Sequence, residues 1–351
     1  MSDTDLRPIS LDALAGAAAP RLNRRTALIA GAGAALVLGA GLLMPVVVRG
    51  ASAFGLIFDA VMFAFLTMSI AFLVRHLGIV SLGHTAFFGG SAYTVAIATT
   101  VGGMGMIPAA ALGLLVGVVL AVLMGAIVVR ASGMTFMMLT LALGQAVYQV
   151  VVLQIARPWT GASDGTSLSY IAGDSFFGVP PDQVVNPVGF WPVVWIVFVL
   201  SIVALWFVGR MKFGRVLQGI RENEERMRFS GYDTVRPRFL AFVVSGTVAS
   251  IGGVLFALNA SYVSPELLSF FRSGDALIAT LLGGTGLLVG PVVGALIYMI
   301  LLSTLNSTGN LQLYLGAALV IVLAFLPTGV TGAIVTGVKR LWRRIRRKGP
   351  M

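Results

Sequence analysis

The sequence predicts an all-α fold: a polytopic membrane helix bundle with about ten transmembrane segments. Three observations carry this. Hydrophobic residues make up 58% of the chain and charged residues 11%, with a mean hydropathy of +0.96, far from the balance of a water-soluble domain. Apolar runs long enough to cross a hydrocarbon core of about 30 Å recur along the 351 residues. Basic residues sit in alternate connections between those runs, as the orientation rule for membrane proteins requires. The formal net charge of +11 is therefore read as topology and not as a nucleic-acid footprint. Absence of cysteine excludes disulfides and thiolate metal sites.

Each element follows in order. Residues 1–26 form a polar N-terminal arm carrying Asp3 and Asp5, and residues 27–335 form the transmembrane domain. The first run, 27–48, is too long for the core of a signal peptide and is read as a retained span. Further runs lie at 54–74, 78–99, 106–129, 133–156, 188–209, 238–260, 274–284, 286–305 and 311–327. Arg21, Arg24 and Arg25 precede the first run, Arg75 and His76 follow the second, Arg130 follows the fourth, and a dense cluster follows the sixth. These connections are assigned to the cytoplasm. The connection from 157 to 187 holds Asp164, Asp174 and Asp182 against Arg157 and is assigned to the outer face. Residues 336–351 form a basic cytoplasmic tail containing KRLWRRIRRK. With both termini inside, the number of crossings is even. It is ten when 274–284 crosses, and eight when that segment is only a re-entrant half-helix.

Sliding the chain by 205 residues aligns Gly78 with Gly283, Ser81 with Gly286, Thr85 with Gly290, Gly89 with Gly294 and Tyr93 with Tyr298. Small residues four apart give each segment a smooth stripe for close helix contact. An internal duplication is one reading, with the pathway at the repeat interface; recurrence of small residues in any polytopic chain is the other. His84 sits beside Ser81, Thr85 and Gly89, where its imidazole either hydrogen-bonds across the packed seam or lines a solute path.

Residues 210–238 form a connection too long for a simple turn. A helix from Arg215 to Phe229 would put Val216, Leu217, Ile220 and Met227 on an apolar edge and Glu222, Glu224, Glu225 and Arg226 on a charged one, with Gly231 ending it. This suits docking of another protein, or a solvated loop whose arginines anchor two spans.

Several chemistries are not supported. The glycine-rich GGTGLLVGPVVG lacks the lysine and hydroxyl of a phosphate-cradling loop. His76 and His84 lack nearby ligands for a metal site, and no nucleophile, base and orienting acid fall together. No cofactor is expected. Ionisable or polar groups within spans are Asp59, Asp275 with Arg272 three residues before it as a local helix-capping pair, Gln145 with Gln149, and Asn259. Each either packs between helices or faces a path.

The segments GIVSLGHTAFFGGSAYTVAI, WTGASDGTSL, GRVLQGIRENEERMRFSGYD, LAFVVSGTVASIGGVLFAL, SPELLSFFRSGD, LLGGTGLLVGPVVGALI and FLPTGVTG occur in this order over roughly residues 54–335. Together they resemble the M-type permease subunits of bacterial branched-chain amino acid ABC importers. The resemblance implies a bundle of about ten helices in the inner membrane, surrounded by lipid. Its expected partners are a second homologous permease, two cytoplasmic ATPases that hydrolyse ATP in its place, and a periplasmic solute-binding protein. It assigns ATPase coupling to Arg221, Glu222, Asn223, Glu224 and Gly231, and a binding-protein contact to Thr160, Ser163 and Asp164, within a loop whose turn chemistry is also sufficient explanation for them. The seam or pathway residues are Ser81, His84, Thr85, Gly89, Gly286, Gly290 and Gly294. Family relatives also move amides, urea and aromatic acids. An ion-coupled secondary transporter and a non-transporting scaffold are the rival classes.

Overall fold

The structure is a computed structural model that describes residues 33, 35–48, 50–287 and 289–305, with 313–314, 316–317, 320, 329–333 and 336. The N-terminal arm, the start of the first run, most of the 311–327 run and nearly all of the basic tail lie outside the described residues.

Ten helices organise the described chain: α1 (Ala51–Leu77), α2 (His84–Thr100), α3 (Met106–Val128), α4 (Gly133–Val152), α5 (Pro187–Arg210), α6 (Lys212–Glu222), α7 (Glu224–Phe229), α8 (Val235–Ala260), α9 (Phe270–Gly283) and α10 (Gly290–Leu305). Five of them, α1, α3, α4, α5 and α8, are long and apolar enough to cross a membrane. Helices α2, α9 and α10 are shorter, at 17, 14 and 16 residues. At about 1.5 Å per residue, α9 spans only about 21 Å. A shorter apolar helix, Ala35–Val47, precedes α1. It rests on the stacked pair Trp191 and Trp195 of α5, and Trp191 donates its indole N–H to Gly41 O at 2.7 Å.

Helix α1 is the axis of the bundle, packed against α5, α8, α9 and α10. Its apolar window is 83% buried, against 22% for α4, which makes α4 peripheral. Helix α2 is wedged between α3 and α8. Glycine permits this contact: a Cβ added at Gly253 of α8 would lie 1.9 Å from Phe88 O, and one at Gly246 would meet Ala121 and Phe87.

Two expected helix starts are corrected. The 78–99 run becomes helical only at His84, because Gly78 takes φ +69 and caps α1, and residues 79–83 run on as non-helical chain. The 286–305 run becomes helical at Gly290, after Gly284 takes φ +89. The two aligned segments thus share a layout of helix, left-handed or glycine-broken connection, and helix. Both second helices start at the same end of the bundle, where Thr285 and Gly286 line a cleft with Arg75 and Arg221. The opposite end carries a two-stranded antiparallel ribbon, Thr166–Ser167 with Tyr262–Val263, a minor departure from an all-helical chain. Thr100 at the end of α2 donates to Ser167 O at 2.6 Å, tying the bundle to this ribbon end.

Candidate functional site

Three places gather most of the polar residues. The first is a buried seam where α1, α2 and α8 meet. Ser81 is not helical, so the expected stripe of Ser81, Thr85 and Gly89 along one helix is corrected. Ser81 instead faces the first residue of α2. Ser245 donates its only hydroxyl proton to Ser69 O at 2.6 Å, so His84 Nε2–H must donate to Ser245 Oγ at 2.7 Å. His84 Nδ1 then accepts from the Ser81 hydroxyl at 2.9 Å. All four residues are buried, and both ring nitrogens are satisfied. In front of them, residues 81–83 press on α4: Leu82 N–H donates to Thr140 Oγ1 at 3.2 Å, and Gly144 meets Gly83 backbone to backbone.

Other seam residues divide. Thr85 pairs with Ser273 of α9 at 2.7 Å, and Gly89 gives room to Leu267 and Leu268. Gly290 and Gly294 make the close α9–α10 approach, since Cβ atoms there would lie 1.9 Å from Gly284 O and Ala279 O. Gly286 is exposed in the turn with open space around it, so it leaves the seam. Thr331 donates to Gly283 O at 2.6 Å and closes this junction from the other side.

The second place is an elbow formed by α6 and α7. One continuous helix over Arg215–Phe229 was expected; the chain breaks at Asn223, which takes φ −162 and ψ 100 and caps α7 by accepting from Arg226 N–H at 2.9 Å. Gly214, Leu217 and Ile220 bury the inner face of α6. Gly231, at φ +81, ends α7: its N–H reaches Arg228 O and that of Tyr232 reaches Met227 O, the paired bonds of a Schellman cap. Of the five residues assigned to coupling, two face inward. Arg221 donates to Arg75 O at 2.6 Å, at the end of α1, where the helix dipole favours a cation. Glu224 accepts from Arg238 Nη1 with both oxygens at 3.0 Å. Glu222, Glu225, Arg226 and Arg228 remain exposed, and Phe229 is 91% exposed.

The third place is the loop at the opposite end. Thr160 is buried and donates to Val151 O at 2.7 Å, so its assignment to a partner contact is corrected. Gly161 and Gly165, both at φ +72, bend the loop over the ribbon, leaving Ser163 and Asp164 exposed. Asp164 pairs with Arg157 at 3.3 Å, and its carbonyl accepts from Tyr262. Burial lifts the Tyr170 phenol above its ordinary range, and its O–H donates to Leu258 O at 2.5 Å. Asn259 is likewise a tie, donating to Val184 O at 2.9 Å.

Between α1, α9 and α10, Arg272 lies 4.5 Å over the Phe63 ring, and Asp275 is hydrogen-bonded by Tyr298. Ser269 caps the start of α9 by accepting from Arg272 N–H at 3.2 Å. Asp59 opens on a cleft with Ser52 and Ser303. The sequence does not single out Ser245, Gly246, Gly253 or Arg238, and it marks Tyr298 only as the counterpart of Tyr93 and Phe229 only as a helix end. The partners of Ser245 and Arg238 lie well away along the chain, and only the small-residue spacing in SGTVASIGG hinted at the seam.

A glycine-packed helical bundle, with a buried hydroxyl seam and an amphipathic elbow at one end, defines a multi-pass membrane protein built around close helix contacts. The family model described as "Branched-chain amino acid transport system / permease component" matches residues 52–326, and the chain belongs to this family. It is 26% identical over 270 residues to the high-affinity branched-chain amino acid transport system permease protein LivM of Salmonella typhimurium, covering 72% of this chain and 64% of that one. The LivH permease of Escherichia coli is 32% identical over 144 residues, 40% of this chain and 46% of LivH. The autoinducer 2 import system permease LsrC of Yersinia pseudotuberculosis is 28% identical over 196 residues, 53% and 52% of the two chains. The chain thus aligns with less than two thirds of the length of these relatives. No solved structure matches.

Proposed function

We propose that this chain is the permease subunit of an ATP-binding-cassette importer, moving branched-chain amino acids or a related small polar solute across the bacterial inner membrane. In this reading the elbow end and both termini face the cytoplasm. The chain pairs with a second permease, two ATPases dock at the elbows, and a periplasmic binding protein docks where Ser163 and Asp164 are exposed. ATP-driven closure pulls the elbows together, and the bundle switches its access. The observation that carries this is the elbow: in a chain of this permease family, α6 buries its apolar face while α7 holds its charged face and Phe229 outward.

The test is reconstitution with the ATPases, sister permease and binding protein in proteoliposomes, followed by uptake of labelled leucine. Uptake that requires both ATP and the binding protein is expected. Loss of uptake on collapsing proton and sodium gradients, with ATP held constant, would instead make the chain an ion-coupled transporter. Purification without any ATPase would favour a scaffold. The likeness to LsrC supports a second reading of the solute, so autoinducer 2 joins the competition panel, beside the urea, amides and aromatic acids that the family resemblance implies.

Glu222→Gln should keep the protein in the membrane and lower transport per ATP, because its exposed carboxylate is free to pair with a partner.

A further inference from the structure

Arg238 is a charged residue that is 5% exposed, one turn into α8. A cation is disfavoured there by the helix dipole, so its contacts must hold it. One arm of its guanidinium, Nη1, donates to both carboxylate oxygens of Glu224 on α7 at 3.0 Å, and the other, Nη2, donates to Ala131 O in the turn between α3 and α4. Thr234 donates to Glu224 as well, at 3.2 Å. A planar fork can serve two acceptors in different elements; an ammonium cannot reproduce that geometry.

We propose that Glu224 and Arg238 are a positioning pair that conveys movement of α7 to α4, and through α4 to the non-helical chain in front of His84. The proposal rests on the permease reading and adds to it the route by which the elbow acts. Each link is either a direct contact or an adjacent stretch of chain. Ala131 lies two residues before α4; Thr140 of α4 accepts from Leu82; a Cβ at Gly83 would lie 2.5 Å from Thr140 O; and Gly83 leads into His84, which is bonded to α8. The other half of the elbow is held separately. Arg221 fixes α6 to the end of α1, and its Cγ would lie 3.1 Å from a Cβ at Gly78. Asn223, extended between the two, is the joint about which α7 turns. Glu224 thus acts through the bundle and not as a contact to the ATPase.

The test uses the complete complex in proteoliposomes, with ATP hydrolysis and leucine uptake measured in the same vesicles. Arg238→Lys keeps the charge and loses one arm. It should retain the ATPases and their hydrolysis, while uptake per ATP falls about tenfold. Glu224→Gln, at a partly exposed position that tolerates the change, should lower the same ratio, and Glu224→Asp should restore part of it. The double variant should be no worse than Arg238→Lys alone, because both break one connection. An unchanged ratio in Glu224→Gln and Arg238→Lys, losses that multiply in the double variant, or loss of the ATPases from Glu224→Gln complexes would each overturn the pair's role. Wild-type vesicles that take up neither leucine nor any other solute of the competition panel with ATP and binding protein would overturn the permease reading itself, before any variant is compared.

Discussion

The seam around His84 and the elbow around Asn223 both hold polar residues, but they hold them in opposite ways. In the seam the side chains are short, and Ser81, His84 and Ser245 satisfy one another and the Ser69 carbonyl inside the bundle. In the elbow the charged side chains are long, and Arg221 and Glu224, with Arg238, are those that tie it to the bundle. The surroundings explain the contrast. A polar group without a partner costs several kcal/mol where water is absent, and almost nothing where water is present. Seam residues are therefore constrained by the fold, whereas the exposed elbow residues are left free for a partner.

The largest expected effect is Gly253→Leu. Its Cβ would enter the Phe88 carbonyl, which is backbone and cannot turn aside, so α2 and α8 must separate. Overpacking of this kind costs about 1–3 kcal/mol or more, and here it also strands the His84 bonds. The variant should give little monodisperse protein after detergent extraction; a normal yield and melting temperature would show that the seam is looser than its geometry. His84→Ala comes next. It leaves the Ser81 and Ser245 hydroxyls short of a buried partner, at about 1–3 kcal/mol. His84→Gln keeps a donor and an acceptor and should lose less. Equal melting temperatures for the two would remove hydrogen bonding as the reason for the histidine.

Much of this contrast was legible in the sequence. The runs at 54–74, 106–129, 133–156, 188–209 and 238–260 match the five helices long and apolar enough to cross a membrane, and the apolar positions Leu217 and Ile220 gave the buried face of α6. The break at Asn223 was missed because its capping bond competes with helix only when the next turn is already in place. The start of α2 at His84 was missed because Ile79, Val80 and Leu82 are as apolar as a helix requires; what prevents helix is Gly78 at φ +69 and the packing of Gly83 on Thr140. Ser245 and Arg238 were invisible for another reason. Their partners lie 161 and 14 residues away, and no periodicity connects such distances. Thr160, which the resemblance put at a partner contact, is buried and tied to Val151 O and Ala156 O, partners that no loop motif reveals.

Smaller effects belong to the elbow. Gly231→Ala puts a Cβ into open space, so its only cost is the left-handed backbone, about 1–2 kcal/mol. The loss should be local: the Gly231 and Tyr232 amides, which close the end of α7, should exchange faster while global melting barely moves. Protection unchanged at those amides would mean that the cap contributes nothing to α7.

The smallest effect on stability, and the sharpest on the comparison, is Phe229→Ser. The ring is 91% exposed and touches no core residue, so its loss should change stability by less than about 0.5 kcal/mol. A buried aromatic of the seam such as Phe87 is the opposite case, since its removal would leave a cavity inside the bundle. Exposure of so large an apolar ring beside Arg226 and Arg228 makes sense for an anchor that fills a pocket on a partner, since aromatic anchors flanked by polar residues dominate many interfaces. Phe229→Ser should therefore leave the melting curve of the isolated chain in place and weaken retention of the ATPases during purification of the complex. Full retention by Phe229→Ser would return the ring to the status of an incidental surface residue, and the docking contact would then have to be carried by the charged face alone.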